Sequence, residues 1–255
     1  MAAALASAPT PIGVPTVDVP AAKEVIEQVN VQLTVPERGA LVDELAVKAR
    51  SMRAYLRAEN LDAEGARAAI ALTFVGRRAA REPLRRCADI ALCELVKQLL
   101  DESQPLTDRF ERFCTGIPLT AALAAELAGE LLHFTDPERY WLWSRWIWSP
   151  ARMTGALPLL IGEEFTLRAE GSGATYARVG EATRALDISP EAGAFQLGGG
   201  GRLGTDVLLA CTYAVYMRTA LGMKLTQEFT TIVPPMAALV RRLLGTYTTV
   251  LGEVG

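Results

Sequence analysis

Twice in this chain a helix start is spelled Thr-x-Pro-Glu, at Thr34-Val-Pro-Glu37 and at Thr135-Asp-Pro-Glu138. In such a start the threonine hydroxyl accepts a hydrogen bond from one unpaired amide of the first turn, and the glutamate reaches back to another. The proline falls where the helix needs no N–H. Behind the first copy, Leu41, Leu45, Ala49, Met52 and Leu56 return on one face at helical spacing. A chain built this way folds as helices packed on helices, and the expected class is all-α, a multi-helix globular bundle.

Proline and apolar spacing place the other helices. One is predicted over 63–80 and another opens at Pro83 with a stripe of Leu84, Ala88, Leu92, Leu95 and Leu99. Pro105 and Pro118 bound shorter segments, and 119–134 is rich in the strong helix formers Ala and Leu. The second Thr-x-Pro-Glu predicts a helix from Asp136 that stops before Pro150. Only 157–168 loses the helical period, which predicts a short hairpin or an irregular crossing. Helix resumes over 174–186, and the glycines 198–201 predict a mobile connection. Val207 to Met217 is apolar on every side except Thr212, as a helix buried at the centre of the C-terminal half would be. After Pro234-Pro235, Met236, Val240, Leu243 and Tyr247 share one face of a final amphipathic helix.

This pattern divides the chain into an Ala/Pro-rich flexible arm, 1–33, an N-terminal helical region, 34–150, and a C-terminal helical region packed on it, 151–255, in one domain or two. A net charge of -3 over 255 residues gives no global attraction to nucleic acid or acidic membranes. Cys87, Cys93, Cys114 and Cys211 form no C-x-x-C pair, and the N-terminus lacks a charged-then-apolar leader, so the expected setting is the reducing cytoplasm. The apolar run 207–217 is too short to span a bilayer, which takes about 20 residues; no membrane partner is expected.

All four tryptophans, Trp141, Trp143, Trp146 and Trp148, lie within eight residues. In a helix, Trp143 and Trp146 project with Leu142 and Ile147, whereas Trp141 and Trp148 project oppositely, beside Ser144 and Arg145. One core cannot take both pairs. Either two layers sandwich this helix, or Trp141, Arg145 and Trp148 form a partner-binding face, since Trp and Arg anchor interfaces.

Chemistry would have to pass through His133, the one histidine. Glu126, Glu130 and His133 share a helical face, and Glu130-Leu-Leu-His133 has the Glu-x-x-His spacing of di-iron bundles. That site needs a second histidine, so the three are weak metal candidates and no cofactor is expected. No nucleophile turn such as G-x-S-x-G accompanies His133, and the glycines before Arg202 lack the Gly-Lys-Ser/Thr ending of a phosphate loop. No catalytic residue is assigned, and an enzyme is the less favoured class.

Residues 38–86 hold eleven basic side chains against six acidic ones. Arg50, Arg53 and Arg57 cluster on the first helix, and Arg77, Arg81 and Arg85 align if the helix passes Pro83; such arrays can neutralise phosphates. Cys114-Thr-Gly-Ile-Pro-Leu-Thr-Ala-Ala-Leu123, then a helix, Asp136-Pro-Glu-Arg-Tyr140 and Ser144-Arg145, weakly resembles the hairpin region of helix-hairpin-helix DNA glycosylases over 114–146. That resemblance implies contact with DNA. Pro118 or Leu119 stands at the second hairpin glycine and the catalytic aspartate would fall near Ser144, so the resemblance does not extend to base excision by that route.

The sequence therefore favours a non-catalytic helical interaction protein, an accessory or assembly factor that binds a protein partner or its own copy through the tryptophan helix. A nucleic-acid-binding protein using the arginines is the alternative.

Overall fold

The structure is a computed structural model that describes residues 13–56, 61–77, 80–196, 201–222 and 234–246. Among these residues it is all-α, with twelve α-helices and no strand.

Helix α1, Val19–Gln32, occupies 14 residues of the stretch 1–33 that composition predicts to be a flexible arm. Asp18 caps it by accepting from the Ala21 amide at 3.0 Å, and Pro20 sits harmlessly in the first turn. Ala22 and Val29 bury their side chains. Short alanines and valines on one face suffice here because α11, Gly201–Gly222, lies against α1. The arm's first twelve residues lie outside the described residues.

Helix α2, Val35–Leu56, begins as its start sequence requires. Glu37 accepts from the Thr34 amide at 2.7 Å, and the apolar face Leu41, Leu45, Ala49, Met52 and Leu56 is buried. The helix predicted over 63–80 is two, α3 at Ala63–Leu72 and α4 at Phe74–Arg77. Thr73 makes the break: its hydroxyl donates to the Ile70 carbonyl and accepts from the Gly76 amide, competing with helical pairing. Pro83 sits within the short α5, Arg81–Arg85, and the stripe through Leu92 and Leu99 belongs to α6, Asp89–Leu100. Helix α7, Leu106–Gly116, is joined by residues 117–120 to α8, Ala121–Thr135. Every residue of α8 from Ala124 to Thr135 is buried, so α8 runs through the core with α2, α4 and α7 packed around it.

The second Thr-x-Pro-Glu starts no helix. Thr135 ends α8 instead, and residues 136–156 cross the molecule as turns and extended stretches, closed by the isolated bridge between Ser149 and Thr154. The predicted hairpin at 157–168 is a single 3-10 turn, Leu157–Leu159, followed by irregular chain that bridges Ile161 to Val17. Helix α9, Ser172–Asp187, agrees with expectation, and the loop after it contains α10, Pro190–Gln196. Of the glycine tract expected to be mobile, 198–200 lies outside the described residues. In α11 the run Val207–Thr212 is buried as predicted, while Tyr213 is half-buried and Tyr216 exposed. Helix α12, Met236–Leu244, buries Met236, Val240 and Leu244 against α11 and α2; Tyr247 lies outside the described residues.

Candidate functional site

The tryptophans do not sit on a helix, and the irregular path is what lets one molecule bury them. Trp143, Trp146 and Trp148 are all at most 9% exposed. The Trp143 ring lies 5.9 Å from Phe110 and its Nε1–H donates to the Trp148 carbonyl at 2.9 Å. The Trp146 Nε1–H donates to the Leu243 carbonyl at 3.1 Å, tying the segment to α12. Trp141 is half-buried under the Arg202 guanidinium, 4.3 Å from its ring centroid. Gly129 permits the crossing: a Cβ there would come within 2.9 Å of the Trp143 carbonyl oxygen. The face predicted from Trp141, Arg145 and Trp148 is accordingly not formed. Trp141 turns to α9 and α11, and Trp148 is enclosed at 3% exposure with its Nε1–H unpartnered among the described residues.

The predicted row Glu126, Glu130 and His133 does share a face of α8, and each member faces a different element. The half-exposed Arg145 guanidinium pairs with the buried Glu126 carboxylate. Lys48 of α2 pairs with Glu130 at 2.9 Å, both side chains at most 5% exposed, and Glu130 also accepts from the Phe74 amide at 2.9 Å. His133, fully buried, donates from Nδ1 to the Tyr140 carbonyl at 2.9 Å, and its Nε2 lies 2.8 Å from the Asp206 carboxylate of α11. A buried charge must find such a partner or neutralise. The triplet is a polar spine linking α8 to α2, α11 and the tryptophan segment, and among the described residues no group of three or more acidic, His or Cys side chains could hold a metal ion.

Burial acts unevenly along the spine. It pushes the Glu126 carboxyl up to about 7, with Glu130 adding to the rise and Arg145 opposing it. Desolvation lowers Lys48 against the attraction of Glu130. The Cys114 and Cys211 thiols are pushed up to about 12 by burial, so neither is a ready nucleophile at neutral pH. His133 is sealed away from solvent, which leaves it no route to a substrate.

The arginines of 38–86 do not form one surface. Arg53 donates to the Thr135 carbonyl and Arg77 to the Thr73 and Gly245 carbonyls, so both hold the fold together. Arg50, Arg81 and Arg85 are exposed, with Arg85 paired to Glu82 at 3.4 Å, and Arg57 lies outside the described residues.

What the structure does assemble is a cleft of about 570 Å³ between the start of α8, the tryptophan segment and the start of α9. Ala121, Ala122 and Ala125 line one side, the largely buried Trp143 and Trp148 lie at its base, and Glu111, Glu126, Arg145, Arg168 and Ser172 supply polar groups. Clefts of about 300–1,000 Å³ with apolar walls and a few convergent polar groups are the usual form of ligand sites. Neither α8 nor α9 carries a side-chain bond at its N-cap residue, although Glu111 accepts from the Gly173 amide at 2.8 Å. Arg168 is exposed, and its guanidinium has no hydrogen bond or ion pair with another described residue. Sequence reasoning names Arg145 and Trp148 and misses Trp143 at the base and Arg168 as a rim charge. The signal for Trp143 was its crowding with Trp148, and for Arg168 there was none.

Among the described residues no helix is long and apolar enough to cross a membrane. Compared with known proteins, the chain matches no family model, no curated protein and no solved structure.

Proposed function

We propose that the chain is a non-catalytic helical interaction protein, an accessory or assembly factor of the cytoplasm, and that it receives its protein partner in the cleft whose exposed lining includes Ala121, Ala122, Arg145 and Arg168. The observation that carries this is the meeting of two exposed arginines, Arg145 and Arg168, with exposed alanines of α8 on one concave site backed by the buried Trp143 and Trp148. Arginine is among the residues that contribute most at protein interfaces, because it buries a large area while keeping directional N–H donors. The sealed histidine and the protonated buried thiols weigh against a nucleophile at the same site.

A photo-crosslinking residue at Ala151, exposed on the lip of the cleft, tests the proposal in the native host. A discrete adduct is expected there and not from Val31 on α1, which is 86% exposed and outside the cleft. Ala122→Phe, which fills the cleft from an exposed position, is expected to abolish the adduct. An adduct that persists in the filled variant, or forms equally from Val31, refutes the proposal.

A further inference from the structure

We infer that this cleft takes a carboxylate carried on an apolar or aromatic body, and that the incoming carboxylate takes over Arg145 from Glu126, which accepts a proton in exchange. The inference rests on the cleft being the recognition site proposed above, and it names the chemistry of what enters.

The exposed alanines of α8, Ala121 and Ala122, with Ala151 across the cleft, offer the body of a ligand apolar surface, and the buried Trp143 and Trp148 lie behind them. Its charge would meet Arg145, half-exposed, and Arg168, exposed and without a side-chain partner. Arginine presents paired N–H donors that match the two oxygens of a carboxylate. In the free protein one of those matches is already made: the Arg145 guanidinium is paired with the Glu126 carboxylate.

The two carboxylates cannot share Arg145 on equal terms. Glu126 is 4% exposed and the ligand stands at the open side, so the buried group bears the larger desolvation cost once its counter-charge is diverted. The charged groups acting on Glu126 are Arg145 from the tryptophan segment and Glu130 one turn along α8, while Glu111 of α7 and Arg168 line the same cleft. Glu111 accepts from the Gly173 amide at the first turn of α9, and Glu130 disfavours a charged Glu126. Its carboxyl already sits high, near 7, so a proton is available at neutral pH at small cost. Binding is thereby coupled to proton uptake, and it tightens as pH falls. If occupancy raises the Glu126 carboxyl by about two further units, affinity at pH 6 exceeds that at pH 8 by up to about tenfold.

The same chemistry can come from the C-terminal carboxylate of a polypeptide or from a small organic acid. Tryptophan fluorescence of the full chain, titrated with acetyl-Ala-Ala-Phe as the free acid, the same peptide amidated, and phenylacetate, separates these sources. Saturable binding of the free acid with the pH step, and none of the amide, is expected. Phenylacetate binding as tightly as the free acid identifies a small acid as the source, and much weaker binding identifies a chain end. Glu126→Gln is expected to retain binding and lose the pH step, whereas Arg145→Gln and the cleft-filling Ala122→Phe are expected to lose binding with circular dichroism unchanged. Equal binding of amide and acid, no binding of either acid, or a pH step that survives in Glu126→Gln overturns the inference. The Ala151 adduct is an independent readout: if it forms while no carboxylate binds, the interaction reading stands and the carboxylate does not.

Discussion

Thr34–Glu37 and Thr135–Glu138 share a pattern and lead to opposite structures. The first opens a helix of 22 residues; the second lies in a turn after one has ended. Two differences account for this. The Thr34 hydroxyl is free to engage its own first turn, accepting from the Glu37 amide at 3.4 Å, whereas the Thr135 hydroxyl donates backward to the Leu131 carbonyl at 2.7 Å and is spent closing α8. The residues downstream also differ. Behind Thr34 the apolar side chains return on one face; behind Thr135 they come too densely for any helix to bury them on one side. The backbone of 136–156 gives up helical pairing and aims three indoles inward. A capping pattern licenses a helix only where the following residues can bury a single face.

If the tryptophan segment is core, removing a ring from it should cost as much as removing one from any helix. Trp143→Ala is expected to lose about 3–5 kcal/mol of unfolding free energy, measured by denaturant titration. A loss under about 1 kcal/mol would mean the segment is a surface strap, and the contrast with α2 would fail. The next effect comes from the buried acid that this segment covers. Glu126 is raised in the folded state above its unfolded value, so the folded protein holds the extra proton, and stability falls as pH climbs from the usual Glu range through about 7. That penalty is on the order of 3 kcal/mol at pH 8 and is absent near pH 4. Glu126→Gln is expected to flatten this part of the stability–pH profile, and an unchanged slope would show that Arg145 fully neutralises the acid.

A smaller effect compares the two threonines directly. Thr34→Val keeps the shape and removes the cap, at a cost of about 1 kcal/mol. Thr135→Val removes a hydroxyl whose acceptor carbonyl is already bonded within α8, and the expected change is within about 0.5 kcal/mol. Equal losses would mean that both hydroxyls do the same work, against the observed geometry.

The difference between these regions also marks what was legible in the residues. Helix α2, the interior of α8 and the face of α12 were readable because a buried stripe repeats with the helical period, which is local information. Helix α1 was not, since alanines and valines bury little on their own and became a core face only where α11 came to rest. The acidic row of α8 was visible as a spacing. Its partners Lys48, Arg145 and Asp206 arrive from three other elements, and no spacing within one helix announces them. The cleft is half legible for the same reason: Arg145 and Trp148 stand out in the sequence, but their meeting with Trp143 and Arg168 depends on a backbone path that only the competition between burial and helical pairing decides.

The glutamates of the two patterns provide the finest distinction. Hydrogen bonds from the Thr34 amide and hydroxyl hold the Glu37 carboxyl below its ordinary value. Glu37 therefore supports the start of α2 fully above the unfolded carboxylate range, and that support is lost as pH falls through its lowered folded value. Glu138 is exposed, and its side chain has no partner among the described residues. Glu37→Gln is expected to remove a small acid-sensitive part of the helical signal, seen as earlier exchange of the first α2 amides in hydrogen-exchange measurements at neutral pH, while Glu138→Gln leaves every amide as it was. Exchange that quickens at 136–140 in the second variant would mean a cap operates there after all, and the contrast between the two starts would have to be drawn from the downstream residues alone.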